Sequence, residues 1–319
     1  MNLISYNRKI DYLRLSITDK CDLRCRYCMP AEGVKSKEHH QLMRVEEMYR
    51  LITLFNQYGV TKLRITGGEP LVSKLLFPLL KNIRQLQLQD IALTTNAQLL
   101  APMVNDLKKA GVNRLNISLD TLKPDRFTWI TRGGDLQKTL DGIDAALQYG
   151  LNPVKINVVA IKGFNDDEFL DLALLAKDRP LHIRFIELMP VGENIWGPQN
   201  FISKQEILDL TASLGKLLPT KVKGNGPADI FQIQDFCGTI GFINAISGHF
   251  CDRCNRMRLT SDGKLYPCLH NDYFVDLLKP MREGASDDLL LSLILSGAEN
   301  KPMQHNLGAQ SRNMNTIGG

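Results

Sequence analysis

The chain contains 319 residues, of which 44% are hydrophobic and 23% are charged. At about 100–200 residues per domain, this length allows one large domain or two. The composition is ordinary for a globular protein and excludes a wholly disordered, collagenous or coiled-coil chain. Lysine and arginine total 39 against 34 acidic residues, a net charge of +5. This mild excess fits an anionic small molecule and does not require nucleic acid.

Neither a secretory signal nor a membrane span is visible in the sequence. Residues 1–16 lack the apolar stretch of a signal peptide. The longest apolar run, residues 289–295, is far shorter than the roughly 20 residues that cross a bilayer. We therefore expect a cytoplasmic protein with no membrane partner and no nucleic-acid partner.

Short runs rich in isoleucine, valine, leucine and threonine recur along the first two thirds of the chain. They predict six strands, at Leu13–Thr18, Lys62–Thr66, Ile91–Thr95, Arg114–Leu119, Val154–Ile161 and His182–Leu188. Apolar residues at helical spacing lie between them, for example in residues 45–55, in residues 140–147 before Gly150, and in residues 169–176. Alternating strands and helices indicate βα units and a parallel sheet.

Six βα units are too few for a closed eight-stranded barrel, so we expect an α/β fold with a partial (β/α)6 TIM-like barrel. Its functional residues should lie at the carboxyl ends of the strands. The pattern changes after Gly215, with further strands predicted at Asp229–Ile233 and Thr239–Ile246 and a helix at Ser286–Ser296. We predict a barrel domain of residues 1–215 and a smaller C-terminal module of residues 216–319.

The first cysteine group follows the first predicted strand in the segment CDLRCRYCMP. Cys21, Cys25 and Cys28 have the spacing C-x3-C-x2-C. Thiolates hold [4Fe–4S] clusters, and a closed cluster takes four of them. Three local thiolates would leave one iron open to another ligand, as open catalytic metal sites do. The alternative is a zinc site with a distant fourth ligand.

The segment Thr66–Pro70, which reads TGGEP, ends the second predicted strand. Its two glycines let the backbone approach a ligand closely. Glu69 and nearby carbonyl groups could accept hydrogen bonds from an ammonium group. A plain turn at the end of a strand explains the same residues.

The second cysteine group lies in the C-terminal module. Cys251, Cys254 and Cys268 have the spacing C-x2-C-x13-C, one thiol short of a usual zinc ribbon. His249 or His270 could complete a zinc site, which is the alternative to a second iron–sulfur cluster.

Three more residues of the C-terminal module bear on that site. The seventh cysteine, Cys237, is a weaker candidate for a fourth zinc ligand and is interpreted as a buried free thiol. Arg256 and Arg258 would share one face of an extended segment. They suit bidentate hydrogen bonding to a phosphate or a purine edge, or they belong to a solvated basic loop.

The first cysteine motif and the TGGEP segment together resemble the radical S-adenosylmethionine (SAM) superfamily. In that superfamily the open iron binds SAM, and an electron from the cluster cleaves it to a 5′-deoxyadenosyl radical. The resemblance implies that SAM is contacted by Tyr27, Gly68, Ser118 and Met189. It also implies an external electron donor.

The whole chain resembles, more narrowly, the GTP 3′,8-cyclase family of molybdenum cofactor biosynthesis. The features that carry this resemblance are the CDLRCRYCMP and RITGGEP segments, the C-x2-C-x-R-x-R run and the final residues RNMNTIGG. It implies a second [4Fe–4S] cluster on Cys251, Cys254 and Cys268 that binds the guanine of GTP. The radical would remove the C3′ hydrogen of GTP, and C3′ would then attack C8 to give 3′,8-cyclo-7,8-dihydro-GTP.

The resemblance also assigns residues to the substrate. The implied GTP contacts are Arg14, Arg64, Thr95, Lys155, Arg256 and Arg258. Arg256, Arg258, Gly318 and Gly319 are implied to act in catalysis, the two glycines by reaching the active site. Our hypothesis is that the glycines there help to order the substrate or an arginine. One departure is visible, because Ala97 stands where the family usually has glycine.

The family also implies a downstream partner, cyclic pyranopterin monophosphate synthase. The sequence leaves both a monomer and a homodimer open. Two other functions remain as alternatives. One is a radical SAM enzyme that uses an auxiliary cluster on a peptide or another small molecule. The other is a non-enzymatic zinc-binding or nucleic-acid-binding module, which leaves the TGGEP segment unexplained.

Overall fold

The computed structural model describes residues 2–35, 37–189, 195–224, 226–248, 250–304 and 314–318. Two short strands, β1 (Ile4–Ser5) and β2 (Arg8–Lys9), form an antiparallel hairpin at the N-terminus. The remaining described strands belong to a single 12-stranded sheet. Among the described residues, the structure contains no helix whose length and hydrophobicity would let it span a bilayer.

The centre of the sheet is a run of six parallel strands in chain order. They are β3 (Tyr12–Ser16), β4 (Lys62–Thr66), β5 (Asp90–Thr95), β6 (Arg114–Ser118), β7 (Val154–Ala160) and β8 (Leu181–Glu187). Each neighbouring pair is parallel. These are the six predicted strands, with ends that agree within two residues. The partial barrel of βα units is therefore confirmed.

Helices cross from each strand to the next. They are α1 (Val45–Gln57), α2 (Leu76–Ile83), α3 (Leu100–Lys109), α4 (Pro124–Thr131), α5 (Leu136–Gln148) and α6 (Phe169–Leu174). Each packs an apolar stripe on the sheet, as Met48, Leu51, Ile52 and Phe55 of α1 do. Helix α5 is capped at its start by Asp135, whose side chain accepts a hydrogen bond from the Gln137 N–H, and it ends two residues before Gly150.

Alternation along the strands separates an apolar outer face from a polar inner face. In β3, Leu13 and Leu15 belong to the hydrophobic core that the helices cover. Arg14 occupies the opposite face and is also buried. Buried arginines on the inner face are costly unless a ligand or a partner compensates them. The barrel interior is therefore built to hold a polar ligand.

The C-terminal third of the chain adds strands to both edges of the barrel sheet. These strands are β9 (Leu217–Thr220), β10 (Asp229–Ile233), β11 (Thr239–Ile243), β12 (Arg256–Leu259), β13 (Lys264–Tyr266) and β14 (Val275–Asp276). Strand β11 pairs parallel with β8, and β12 pairs parallel with β3. The two ends of the central run are therefore both extended by strands from the predicted second module. The boundary at residue 215 stays a prediction.

The remaining helices accompany this third of the chain. They are α7 (Lys204–Leu210), α8 (Leu278–Arg282) and α9 (Asp287–Glu299). Helix α9 matches the leucine-rich segment predicted to be helical, and its first turn is capped by Ser286. It contributes Leu290 and Ile294 to the hydrophobic core.

Candidate active site

Three arginines form a row across neighbouring strands on the inner face of the barrel. The register places Arg258 of β12 opposite Arg14 of β3, and Arg14 opposite Arg64 of β4. All three side chains are buried. Strands lie roughly 4.8 Å apart, so the three guanidinium groups crowd one patch. The sheet therefore brings together three arginines that lie far apart in the sequence.

The other side of the barrel adds two buried basic residues, which lie outside this row. Arg184 of β8 donates hydrogen bonds to Asn116 Oδ1 at 2.7 Å and to Asn157 Oδ1 at 2.6 Å. Lys155 of β7 donates to the Lys223 carbonyl oxygen at 2.8 Å. The sequence analysis did not identify Arg184, although it alternates with apolar residues in a predicted strand as Arg14 and Arg64 do.

These cations disfavour one another's charge. Burial and Arg64 lower the pKa of Arg184 to about 9. Burial and Arg256 lower the pKa of Arg258 to about 10. Burial and the nearby Arg184 lower the pKa of Lys155 to about 6. A polyanion in this space would relieve that repulsion, which makes the barrel interior a site for a ligand with several negative charges.

The first cysteine group lies in the loop that follows β3. A turn closes between the Cys28 N–H and the Cys25 carbonyl oxygen at 2.9 Å. Burial raises the pKa of the Cys21 thiol to about 12 and that of Cys25 well above its usual value. The charges of Cys28, Asp120 and Cys21 raise the pKa of Cys25 further. Three soft donors on one loop fit a [4Fe–4S] cluster with an open iron.

Tyr27 connects this loop to the end of β6. Its hydroxyl donates to Asp120 Oδ2 at 2.7 Å, and its ring lies 6.5 Å from that of Trp196. Burial raises the pKa of Asp120 to about 6. Ser118, two residues earlier, is the last residue of β6. The structure therefore brings two of the predicted SAM contacts, Tyr27 and Ser118, to the same end of the barrel.

The TGGEP segment holds the cysteine loop in place. Gly68 donates its N–H to the Thr18 carbonyl oxygen at 2.8 Å, and a side chain there would collide with the backbone of Lys20. Glu69 accepts hydrogen bonds from the Leu71 N–H at 3.0 Å and the Asn96 N–H at 2.8 Å. Burial raises the pKa of Glu69 to about 7. Its carboxylate thus joins the loops after β4 and β5.

Thr95 does not join the arginine row. Its hydroxyl donates to Glu69 Oε1 at 2.8 Å and accepts from the Ala97 N–H at 3.0 Å. Ala97 has a φ of +64°, a left-handed conformation that glycine adopts more readily. This explains why glycine is the usual family residue at this position. The strain lies beside the first cysteine loop, because Asn96 Nδ2 contacts Asp22 Oδ1 at 2.8 Å.

The second cysteine group surrounds the start of β12. Cys251 opens a short 3-10 turn, Cys254 caps its end, and Cys268 follows β13. Burial acts to raise the pKa of the Cys254 thiol, but Arg256 and Lys301 outweigh it and lower that pKa to about 6. Three thiols in a basic environment fit a second cluster with an open iron.

No three cysteine, histidine or acidic side chains in the described ranges are grouped closely enough to hold a single metal ion. His270 lines the same cavity as the three thiols, whereas His249 lies outside the described residues. Cys237 is exposed rather than buried, so that interpretation was wrong. It lies in the turn before β11, at the amino end of the parallel strands, because β11 starts beside the first residues of β8. The second cysteine group also lies at this end, since β12 starts beside Tyr12 of β3.

A cavity connects the second cysteine group to the arginine row. All three thiols of that group line it, as do the predicted SAM contact Met189 and the five arginines Arg14, Arg64, Arg184, Arg256 and Arg258. One ligand can therefore reach both the thiols and the arginines.

The end of the chain enters this arginine row. The Gly318 carbonyl oxygen accepts from Arg258 Nη1 at 2.7 Å and from Arg14 Nη2 at 3.0 Å. Gly318 is buried with a φ of +73°, and a side chain there would collide with Thr66 Oγ1. Only glycine fits this position without strain. Gly319 lies outside the described residues.

Two family models match the chain. The Radical SAM superfamily model matches residues 15–176, and the Molybdenum Cofactor Synthesis C model matches residues 181–307. The first range contains five of the six central strands, β3 to β7, and the first cysteine group, so SAM and one [4Fe–4S] cluster are the cofactors of this part of the chain. The second range contains β8 to β14 and the second cysteine group.

The chain is similar over its full length to curated enzymes. A GTP 3′,8-cyclase of Desulforamulus reducens is 50% identical, and one of Pelotomaculum thermopropionicum is 47% identical. Each alignment covers 99% of this chain and 99% of the relative. A solved structure of Streptococcus suis SuiB bound to S-adenosylmethionine shares the fold, with a TM-score of 0.60 and 16% identity over 91% of this chain and 69% of that one. The chain belongs to the GTP 3′,8-cyclase family of the radical SAM superfamily.

Proposed function

We propose that this chain converts GTP to 3′,8-cyclo-7,8-dihydro-GTP with the help of SAM and two [4Fe–4S] clusters. The observation that carries the proposal is the cavity that joins three thiols at one end to a row of buried arginines at the other. A ligand that fills it needs a group able to bind an open iron and several negative charges. A purine nucleoside triphosphate has both.

Each cysteine group would hold one cluster. Cys21, Cys25 and Cys28 would carry the first, with SAM contacted by Tyr27, Gly68, Ser118 and Met189. Cys251, Cys254 and Cys268 would carry the second. When bound, the first cluster and SAM supply a 5′-deoxyadenosyl radical, which removes the C3′ hydrogen so that C3′ can bond to C8 of guanine.

The triphosphate would lie along the buried cations of the barrel interior. Arg14 and Arg64 come from two neighbouring strands, and Lys155 and Arg184 come from another neighbouring pair. Held from both sides, the ribose between triphosphate and guanine cannot slide, and such positioning supplies a large part of catalysis. Thr95 stays a predicted GTP contact.

The guanine end would be held beside the second cysteine group. Arg256 and Arg258 share one face of β12, so both can hydrogen-bond to a purine edge. The Gly318 carbonyl group keeps Arg258 and Arg14 together. We therefore assign the Gly-Gly end the role of ordering these two arginines.

The reaction needs further participants. An external one-electron donor must reduce the first cluster. A second electron and a proton must reach the nucleotide after C3′ bonds to C8, because the proposed product is an isomer of GTP. That product is the substrate of a cyclic pyranopterin monophosphate synthase. We place the reaction in the cytoplasm. For the oligomeric state, both a monomer and a homodimer stay open as predictions.

An anaerobic assay of the reconstituted protein tests the proposal. The protein is given SAM, a reductant and one of the four ribonucleoside triphosphates at a time. Only GTP should give both 5′-deoxyadenosine and an isomer of the nucleotide.

Arg184→Met should raise the KM for GTP at least about tenfold, since hydrogen bonds to charged groups contribute about 1.5–3 kcal/mol. The matched control is Arg179→Met, which removes a partly exposed arginine paired with Asp144.

Deoxyadenosine without any change to a nucleotide would contradict the proposed function. The radical chemistry would then act on a peptide or on another small molecule. Equal KM values for the two arginine variants would contradict the placement of the triphosphate.

A further inference from the structure

Lys301 is a buried lysine that the proposed reaction does not use. It follows helix α9, and its side chain is among the largest fully buried ones of the described residues, with an overall exposure of 2%. Its Nζ donates to the Arg256 carbonyl oxygen at 2.8 Å and to the Pro267 carbonyl oxygen at 2.7 Å. A buried ammonium group is costly unless nearby negative charge and hydrogen bonds compensate it.

The two carbonyl groups belong to the two segments that carry Cys254 and Cys268. Arg256 is the first residue of β12, two residues after Cys254, and Pro267 directly precedes Cys268. Strands β12 and β13 are paired only at Arg258 with Tyr266 and at Leu259 with Leu265. Lys301 therefore bridges the hairpin beyond the last strand pair, where the two cysteines leave it.

A second buried cation holds the third cysteine. Arg8 of β2 donates from Nη1 to the Cys251 carbonyl oxygen at 2.6 Å and from Nη2 to the Pro302 carbonyl oxygen at 2.9 Å. The Lys301 carbonyl oxygen in turn accepts from Ser5 Oγ at 3.2 Å. The N-terminal hairpin and the segment after α9 thus fix each other, and together they reach the backbone at all three cysteines.

We propose that Lys301 is a positioning residue of the second cluster, one that fixes the spacing of Cys254 and Cys268 and balances the negative charge of the thiolates. This inference rests on the proposed function, because it requires a cluster on these cysteines. A positive charge beside a cluster stabilises its more reduced, more negative form. Lys301 therefore raises the reduction potential of the cluster and slows its loss.

The test uses the full-length chain with Cys21, Cys25 and Cys28 all replaced by alanine, so that only the second cluster can form. In this background we compare Lys301→Met, Lys301→Gln and Lys301→Arg, with exposed Lys279→Met as the matched control. Iron per chain, the rate of cluster loss to a chelator and the reduction potential followed by electron paramagnetic resonance are measured. Circular dichroism checks that each variant folds.

Lys301→Met should lose the cluster at least about tenfold faster than the background chain and should shift its potential to more negative values. Lys301→Gln keeps hydrogen-bond donors without the charge, so it should retain the cluster better but show the same shift. Lys301→Arg should keep the potential near that of the background. The inference would be overturned if Lys301→Met and Lys301→Gln both kept the rate of cluster loss and the reduction potential of the background chain. Absence of any cluster in the background chain would instead contradict the proposed function.

Discussion

The two cysteine groups share the same ligand type and lie in opposite electrostatic environments. Around the first group, burial and neighbouring acids such as Glu69 and Asp22 raise the pKa of Cys21. Around the second, Arg256 and Lys301 overcome burial and lower the pKa of Cys254. The difference matches the charge of what each site is proposed to bind. An acidic environment suits the cationic sulfonium and ammonium groups of SAM, and a basic one suits a nucleoside triphosphate.

The comparison teaches that three thiols alone do not define the role of such a site. Each group has three thiols, the number that would leave one iron of a [4Fe–4S] cluster open. The side chains around them decide whether a cation or a polyanion is held there. Each of the following predictions separates the two sites, from the largest expected effect to the smallest.

Removing one thiol from each site should abolish different steps of the reaction. Cys25→Ala should abolish SAM cleavage, since the first cluster supplies the electron. Cys254→Ala should leave uncoupled SAM cleavage but abolish the nucleotide product, since GTP is no longer held at the second site. Chromatography with mass detection measures deoxyadenosine and nucleotide in one run. If both variants kept full cyclisation, the division of labour between the sites would be wrong.

The Gly-Gly end should affect only the second site. Gly318→Ala forces a side chain into the left-handed region and against Thr66, so it should displace the carbonyl group from Arg14 and Arg258. We expect GTP cyclisation to fall about 100-fold, about 2.7 kcal/mol of transition-state stabilisation, with uncoupled SAM cleavage retained.

The control is Gly284→Ala, which has a φ of +89° and open space around its Cα. It tests backbone strain away from the site. Equal cyclisation rates for the two alanine variants would show that the tail does not order the arginines.

Binding of GTP should take up a proton at Lys155. Burial and Arg184 lower its pKa to about 6, so the free enzyme is mostly neutral there at pH 7.5. A bound triphosphate raises that pKa, so the proton is gained above pH 6 and affinity falls as the pH rises. Calorimetry in buffers of different ionisation enthalpy measures the uptake. Lys155→Met should abolish it, and uptake that persists in this variant would assign the proton elsewhere.

The smallest effect should come from the first site. Ala97→Gly removes the strain of a left-handed alanine, which destabilises the folded state by about 1–2 kcal/mol. Glycine also gives the unfolded chain more conformational freedom, which lowers the free energy of unfolding by up to about 1 kcal/mol. We expect the free energy of unfolding to rise by about 0.5–1 kcal/mol, with GTP affinity unchanged. Thermal unfolding of the apoprotein measures it, and a lower melting temperature would contradict it.

Local patterns in the sequence predicted the six central strands, both cysteine groups and the extended segment with Arg256 and Arg258. Strand β12 shows that these two arginines do share one face. The roles of Cys237 and Glu69 were not predictable in this way. Whether a lone cysteine is buried depends on where its turn lies in the sheet, and whether a carboxylate is free depends on which loops pack against it.

The sequence by itself determined the βα order and the ligand types, because strand periodicity and cysteine spacing are set by near neighbours in the chain. Only the tertiary structure decided which distant residues meet. Pairing of β12 with β3 aligns Arg258 with Arg14, 244 positions earlier in the chain. The Gly318 carbonyl group lies between them, and Lys301 and Arg8 reach the second cysteine group from opposite ends of the chain. Such contacts depend on the register between distant strands and on packing, and neither leaves a signal in local spacing.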